Sequence, residues 1–112
     1  MNVGEEYLDA LATILNELTL LVDLGRAHYD SDRSSRLAIQ RLWIAAGECA
    51  RLYCAATGAE AGVEPWSSLW GYRNVLVHHL PDDIDDERVW VESVQDLAEY
   101  RTTVEALRQS QV

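Results

Sequence analysis

The chain has 112 residues, is 48% hydrophobic and 25% charged, and carries a formal net charge of −10. A chain of this length buries roughly two thirds of its unfolded surface, enough for one modest core and not for two. The composition excludes a disordered polymer, and the acidity excludes a surface that attracts nucleic acid from every side.

A first helix is expected over about Glu5–Leu24. Tyr7, Leu11, Ile14, Leu18 and Leu21 repeat at helical spacing, and Leu8, Leu15 and Val22 widen the stripe into a core face. Glu5, Glu6 and Asp9 fall in its first turns, where the helix dipole favours acids, and Gly25 is its stop. The segment His28-Tyr29-Asp30-Ser31-Asp32 is polar and reads as a loop ending in N-cap residues. A second helix follows over Arg33–Thr57 and is closed by Gly58. Its apolar side (Ala38, Leu42, Ala45, Cys49, Ala56) is built mostly of small residues, and Gly47 in mid-helix calls for a packing reason. Arg41, Ile44, Glu48 and Arg51 form a second, charged stripe on that helix.

After a linker at 59–64, Pro65 opens a third helix that runs over about Trp66–His79 and must end before Pro81. An acidic loop, Asp82 to Glu87, leads to a fourth helix over about Glu87–Gln109, with Asp85 or Asp86 as N-cap. Trp90, Val94, Leu97, Val104 and Leu107 are its expected core stripe. No strand alternation or internal repeat is present. The expected fold is all-α, an up-and-down four-helix bundle forming a single domain over residues 1–112.

Asn16, Glu17, Asp23 and Glu48 interrupt the apolar runs, so none approaches the ~20 residues a bilayer span needs. Glu5 and Glu6 stand where a signal peptide would be basic. A cytoplasmic protein without membrane partners is expected. Cys49 and Cys54, five apart on one helix, point about 140° away from each other and read as free thiols.

Charge is unevenly placed. From Arg33 to Arg73 there are five Arg and three acids, a balance of +2, and the rest of the chain stands at −12. No Lys occurs, so every fixed cation is a planar guanidinium suited to bidentate phosphate contact. The third helix gathers Arg73, Asn74, His78 and His79 within seven residues. Asn74 and His78 share a face, whereas Arg73 and His78 are offset by about 140°. Two-fold pairing of the chain can bring residues of both copies into one cleft. The set suits phosphodiester cleavage: Arg neutralises charge building on phosphate oxygens. His, with an ordinary pKa near ~6.5, exchanges a proton with a 2′-hydroxyl or a leaving oxygen. No His/Cys/Asp/Glu set has clear metal-ligand spacing, so no metal and no cofactor is expected. On spacing alone, an ion-paired surface Arg and a satisfied His would account for the same residues.

The stretch Glu64-Pro65-Trp66-Ser67-Ser68-Leu69-Trp70-Gly71-Tyr72-Arg73-Asn74-Val75-Leu76-Val77-His78 resembles the signature of the HepT-like branch of the HEPN (higher eukaryotes and prokaryotes nucleotide-binding) superfamily. Its Pro-Trp opening, Gly-x-Arg-Asn, the four residues from Arg to His and the downstream Val89-Trp90 carry the likeness, together with Arg41 to Ala50 upstream. The resemblance covers roughly residues 33–108. It implies a dimerising HEPN-type helical bundle with a ribonuclease cleft at the interface, Arg73 and His78 as the motif pair and Asn74 supporting. It implies a toxin–antitoxin role, with RNA as substrate and a nucleotidyltransferase antitoxin as partner. In that system the antitoxin adenylylates a Tyr two residues after the motif His. Here that position is Leu80, so the acceptor hydroxyl is missing. The gap and the acidity make a non-catalytic partner of a nucleotidyltransferase the alternative.

Around this pair, His79 is a second supporting residue. Glu48 is either a general base or, the favoured reading, the ion-pair partner of Arg73. Arg41 and Arg51 are candidates for the RNA path, evenly balanced against solvated surface residues. Trp43, Trp66, Trp70 and Trp90 fall at helical spacings that favour the core over base stacking.

Overall fold

Helices account for most of residues 2–110, the part of the chain described by the computed structural model, and no strand occurs among them. Helix α1 spans Glu5–Val22, α2 Arg26–Ser31, α3 Arg33–Thr57, α4 Trp66–Val77 and α5 Asp86–Gln109, with a 3-10 turn at Pro81–Asp83. The four long elements match the sequence expectation to within two residues at each end. The expected loop at 28–32 is instead mostly helix α2, a correction explained by tertiary anchoring. Tyr29 is buried beneath α5, its hydroxyl donates to the Asp86 carbonyl at 2.9 Å, and its ring lies 5.0 Å from that of Trp90.

Caps explain where the helices begin and end. The Asp32 side chain accepts from the Ser34 amide at 3.0 Å and starts α3; Asp85 does the same for α5 through the Arg88 amide at 3.2 Å. Gly58 closes α3 in the left-handed region, φ 76°, which costs glycine little. Helix α4 stops at Val77, with His78 as its C-cap, leaving His79 beyond the helix.

Helix α3 is the hub: α1 and α4 both pack along it, and α1 also packs on α5. The stripe of α1 is buried as expected at Leu8, Leu11, Leu15 and Leu18. That of α3 is displaced by one position, and that of α5 is met at Leu97 and Val104 but shifted by one residue in its first two turns. On α3 the buried residues are Ile39, Trp43, Ala46, Ala50 and Tyr53, because the enclosed helix turns its largest ring, Trp43, into the centre. On α5 they are Val89, Ser93, Leu97 and Val104, while Val94 is exposed. Ser93 explains the shift: its hydroxyl accepts from the Trp43 indole N–H at 2.8 Å and donates to the Val89 carbonyl at 2.7 Å. A satisfied buried hydroxyl is compatible with a core, and apolar periodicity cannot find it.

Helices α4 and α5 stand apart across a cleft of about 240 Å³ in which Trp43, Tyr72 and Tyr100 meet Glu92 and Asp96. Burial pushes the Tyr72 phenol well above its ordinary pKa, and its hydroxyl has no hydrogen-bond partner among the described residues.

Candidate functional site

The α3/α4 packing is antiparallel: Tyr53 lies against Trp66, and Gly47 against Arg73. A Cβ on Gly47 would lie 2.2 Å from the Arg73 Cβ and 2.7 Å from the Leu69 carbonyl oxygen. Gly47 therefore lets the backbone of α4 come close enough for Arg73 to lie across α3, which is the packing reason its mid-helix position demands.

Arg73 is held from several directions. Its guanidinium pairs with Glu48 Oε1 at 3.0 Å and donates to Asn74 Oδ1 at 2.9 Å. It lies 4.8 Å above the centroid of the Trp70 ring, within cation–π range. Its Nε is buried without a hydrogen-bond partner among the described residues. Glu48 Oε2 in turn accepts from Arg51 at 3.1 Å, and Arg51 lies 5.9 Å from the same Trp70 ring. Glu48 thus bridges two guanidiniums with its two oxygens, one for each. Trp70, expected in the core, is only half-buried and shared by both arginines; its place three residues before Arg73 was the available signal.

The histidines are less constrained. His78 is exposed at the end of α4, and its side chain makes no hydrogen bond or ion pair among the described residues. Its neighbour His79 is tied to its own helix, Nδ1–H donating to the Val75 carbonyl at 2.6 Å, which caps α4. One chain therefore brings together Arg73, Asn74, Glu48 and Arg51, and does not bring His78 to them. Arg41 is exposed and unpaired among the described residues. It lies two turns before Glu48 on the same stripe, and the antiparallel packing carries it towards the level of His78.

Arg33 and Arg36 of the cationic segment, and Arg26 before it, serve the fold. Arg33 pairs with Asp82 at 2.7 Å, Arg36 with Asp86 at 3.4 Å, and Arg26 with Glu87, so the acidic loop after α4 and the first turn of α5 are strapped to α2 and α3. Cys49 and Cys54 are free, and burial raises the pKa of both thiols. Among the described residues, no three His, Cys, Asp or Glu side chains converge as a metal site, and no helix is long and apolar enough to cross a membrane.

The class that the fold defines is an all-helical bundle, here one that fixes a half-buried Arg five residues before an exposed His. The family model described as Ribonuclease HepT-like matches residues 6–107, and the chain belongs to that family. Among curated proteins and among solved structures, none matches the chain significantly.

Proposed function

We propose that the chain is a metal-independent endoribonuclease, the cytoplasmic toxin of a toxin–antitoxin pair, and that it cleaves RNA as a homodimer through Arg73 and His78. The observation that carries this reading is the fixed guanidinium of Arg73, with N–H donors beyond those given to Glu48 and Asn74, on the same short helix as an uncommitted His78. In the reaction, one imidazole takes the proton of a 2′-hydroxyl, whose oxygen attacks the adjacent phosphorus. The 5′-oxygen of the next nucleotide leaves and takes up a proton, giving a 2′,3′-cyclic phosphate. Arg73 stabilises the charge on the phosphoryl oxygens, and Asn74 keeps the guanidinium in place. His79 supports by capping the helix end that carries His78. Arg41 and Arg51, on one stripe of α3, guide the RNA strand past the site.

The geometry of α4 supports dimerisation. A five-residue offset and the separate environments of Arg73 and His78 keep the two side chains apart within one chain, and a second copy would bring one of each into a common cleft. Purified protein incubated with RNA and EDTA tests the reading. Cleavage that is retained in both Arg73→Ala and His78→Ala would refute it.

One observation favours a second reading, a non-catalytic partner of a nucleotidyltransferase. Leu80 is exposed where the family's modified Tyr would stand, so an exposed position on the loop after His78 is apolar. A stable complex with a nucleotidyltransferase, without RNA cleavage by the separated chain and without growth arrest, would favour that role. Growth arrest that depends on His78 would exclude it.

A further inference from the structure

Beside the Arg51–Glu48–Arg73 cluster, on the side away from His78, lies a pocket of about 320 Å³ between the C-terminal half of α3, the linker after it and the start of α4. Ala50, Cys54 and Ala59 give it small apolar surfaces, Trp66 and Trp70 give it aromatic ones, and Arg51 stands among its lining residues. Trp66 is fixed by the Tyr53 ring, 4.8 Å away between centroids. Trp70 is common to the pocket and to both guanidiniums. The pocket is thus apolar and aromatic within, with a cation beside it, in a chain whose net charge is −10.

We propose that this pocket is a nucleobase subsite, receiving the base of a nucleotide flanking the phosphate held at Arg73, with Arg51 on that nucleotide's phosphate. The proposal rests on the ribonuclease reading above and specifies how the substrate is gripped. A base is flat and apolar on its faces, and stacking on aromatic side chains tolerates any of the four. At the low end of the volumes typical of small-molecule pockets, roughly 300–1,000 Å³, the space suits one base and not a folded strand. Arg51 is the cation that separates this pocket from an ordinary packing defect. It is tethered through Glu48 to Arg73, so a phosphate at one guanidinium and a phosphate at the other belong to neighbouring nucleotides of one strand. The small side chains of Ala50, Cys54, Ala59 and Ala61 leave the space open.

Nucleoside 5′-monophosphates and ribose 5-phosphate, titrated against the full chain with ligand saturation-transfer NMR, distinguish a base site from a phosphate site. The expected result is saturation of base protons and binding on the order of tenfold tighter than ribose 5-phosphate. Ala59→Leu, which fills the pocket, removes the difference; Ala61→Leu at the linker does the same if Ala59→Leu does not fold. Equal binding of the monophosphates and ribose 5-phosphate, or base-dependent binding unchanged in a folded filled variant, overturns the proposal. A second arm separates its failure from that of the nuclease reading. RNA carrying single abasic positions is expected to lose cleavage at one position flanking the cut in the wild type. In the filled variant, intact and abasic RNA are expected to be cleaved alike. Cleavage that depends on Arg73 and His78 but ignores every abasic position removes the subsite and leaves the nuclease. Base-dependent binding without any RNA cleavage leaves the subsite and removes the nuclease.

Discussion

Arg73 and His78 lie five residues apart on and at the end of one helix, and their surroundings are opposite. Arg73 is wedged against Gly47, paired with Glu48, bonded to Asn74 and laid on Trp70. His78 is exposed, beyond the last helical residue, and its side chain makes no hydrogen bond or ion pair among the described residues. Packing and charge pairing within one chain preorganise the group that would meet a phosphate. The group that would move protons is left for something outside the chain to position. A site built this way is half complete in the monomer, which is what two-fold assembly can use.

If that contrast is right, the two residues respond differently to substitution. His78→Ala should lower RNA cleavage by about 10²–10⁴-fold, the usual contribution of a proton-transfer group, and leave the melting temperature unchanged. Arg73→Ala should lower cleavage comparably and also lower the melting temperature, because Glu48 loses one of its two guanidiniums. Paired kinetic and thermal-unfolding measurements check this; a large fall in stability for His78→Ala would break the comparison.

Gly47→Ala strikes the built half without touching its chemistry. The added methyl meets the Arg73 Cβ and the Leu69 carbonyl, and the helix-propensity gain of about 1 kcal/mol does not offset it. A net loss of about 1–3 kcal/mol is expected in denaturant unfolding, together with weaker cleavage. Unchanged stability would mean that α4 is not held close at this point.

Alkali should loosen the packing around α5 instead. Tyr29 is pushed up to about 12, and Tyr72 and Tyr100 are also raised, chiefly by burial. The unfolded chain loses these phenolic protons near pH ~10, whereas the folded chain keeps them to higher pH. The unfolded state then binds fewer protons, so stability is fully present below pH ~10 and falls as pH rises towards ~12. Tyrosinate absorbance that rises only together with loss of helical circular dichroism is the expected signature.

The smallest effect belongs to the strap beyond His78. Arg33→Gln removes the exposed pair with Asp82 and should cost no more than about 1 kcal/mol. Faster hydrogen exchange at 79–85 with unchanged exchange in α3 would show that the strap orders that loop.

Much of this was legible in the residues themselves, and the losses have physical causes. Capping residues and apolar spacing located α1, α3, α4 and α5 because long amphipathic helices repeat their signal over many turns. Helix α2 was missed because its six residues give no period and its stability comes from Tyr29 docking under α5. The face of α3 and the first two turns of α5 were misjudged by one residue because Trp43 and Ser93 form a buried hydrogen bond that a hydrophobic pattern does not register. At the candidate site, Arg73, Asn74, His78 and Glu48 stood out by type and spacing. Trp70 did not, since an aromatic at helical spacing reads as core whether or not cations flank it. The link between Gly47 and Arg73 lies between two helices, beyond what one helix's sequence can report.

Subunit complementation tests the central claim, that a second copy completes the site, most directly. Arg73→Ala and His78→Ala chains, each inactive alone, are mixed, unfolded and refolded together, and RNA cleavage is measured on the isolated mixed dimer. If each cleft combines Arg73 of one copy with His78 of the other, one of the two clefts keeps both residues, and the mixed dimer recovers cleavage. A mixed dimer that forms but stays inactive, or a wild-type chain that cleaves RNA as a monomer, would contradict it.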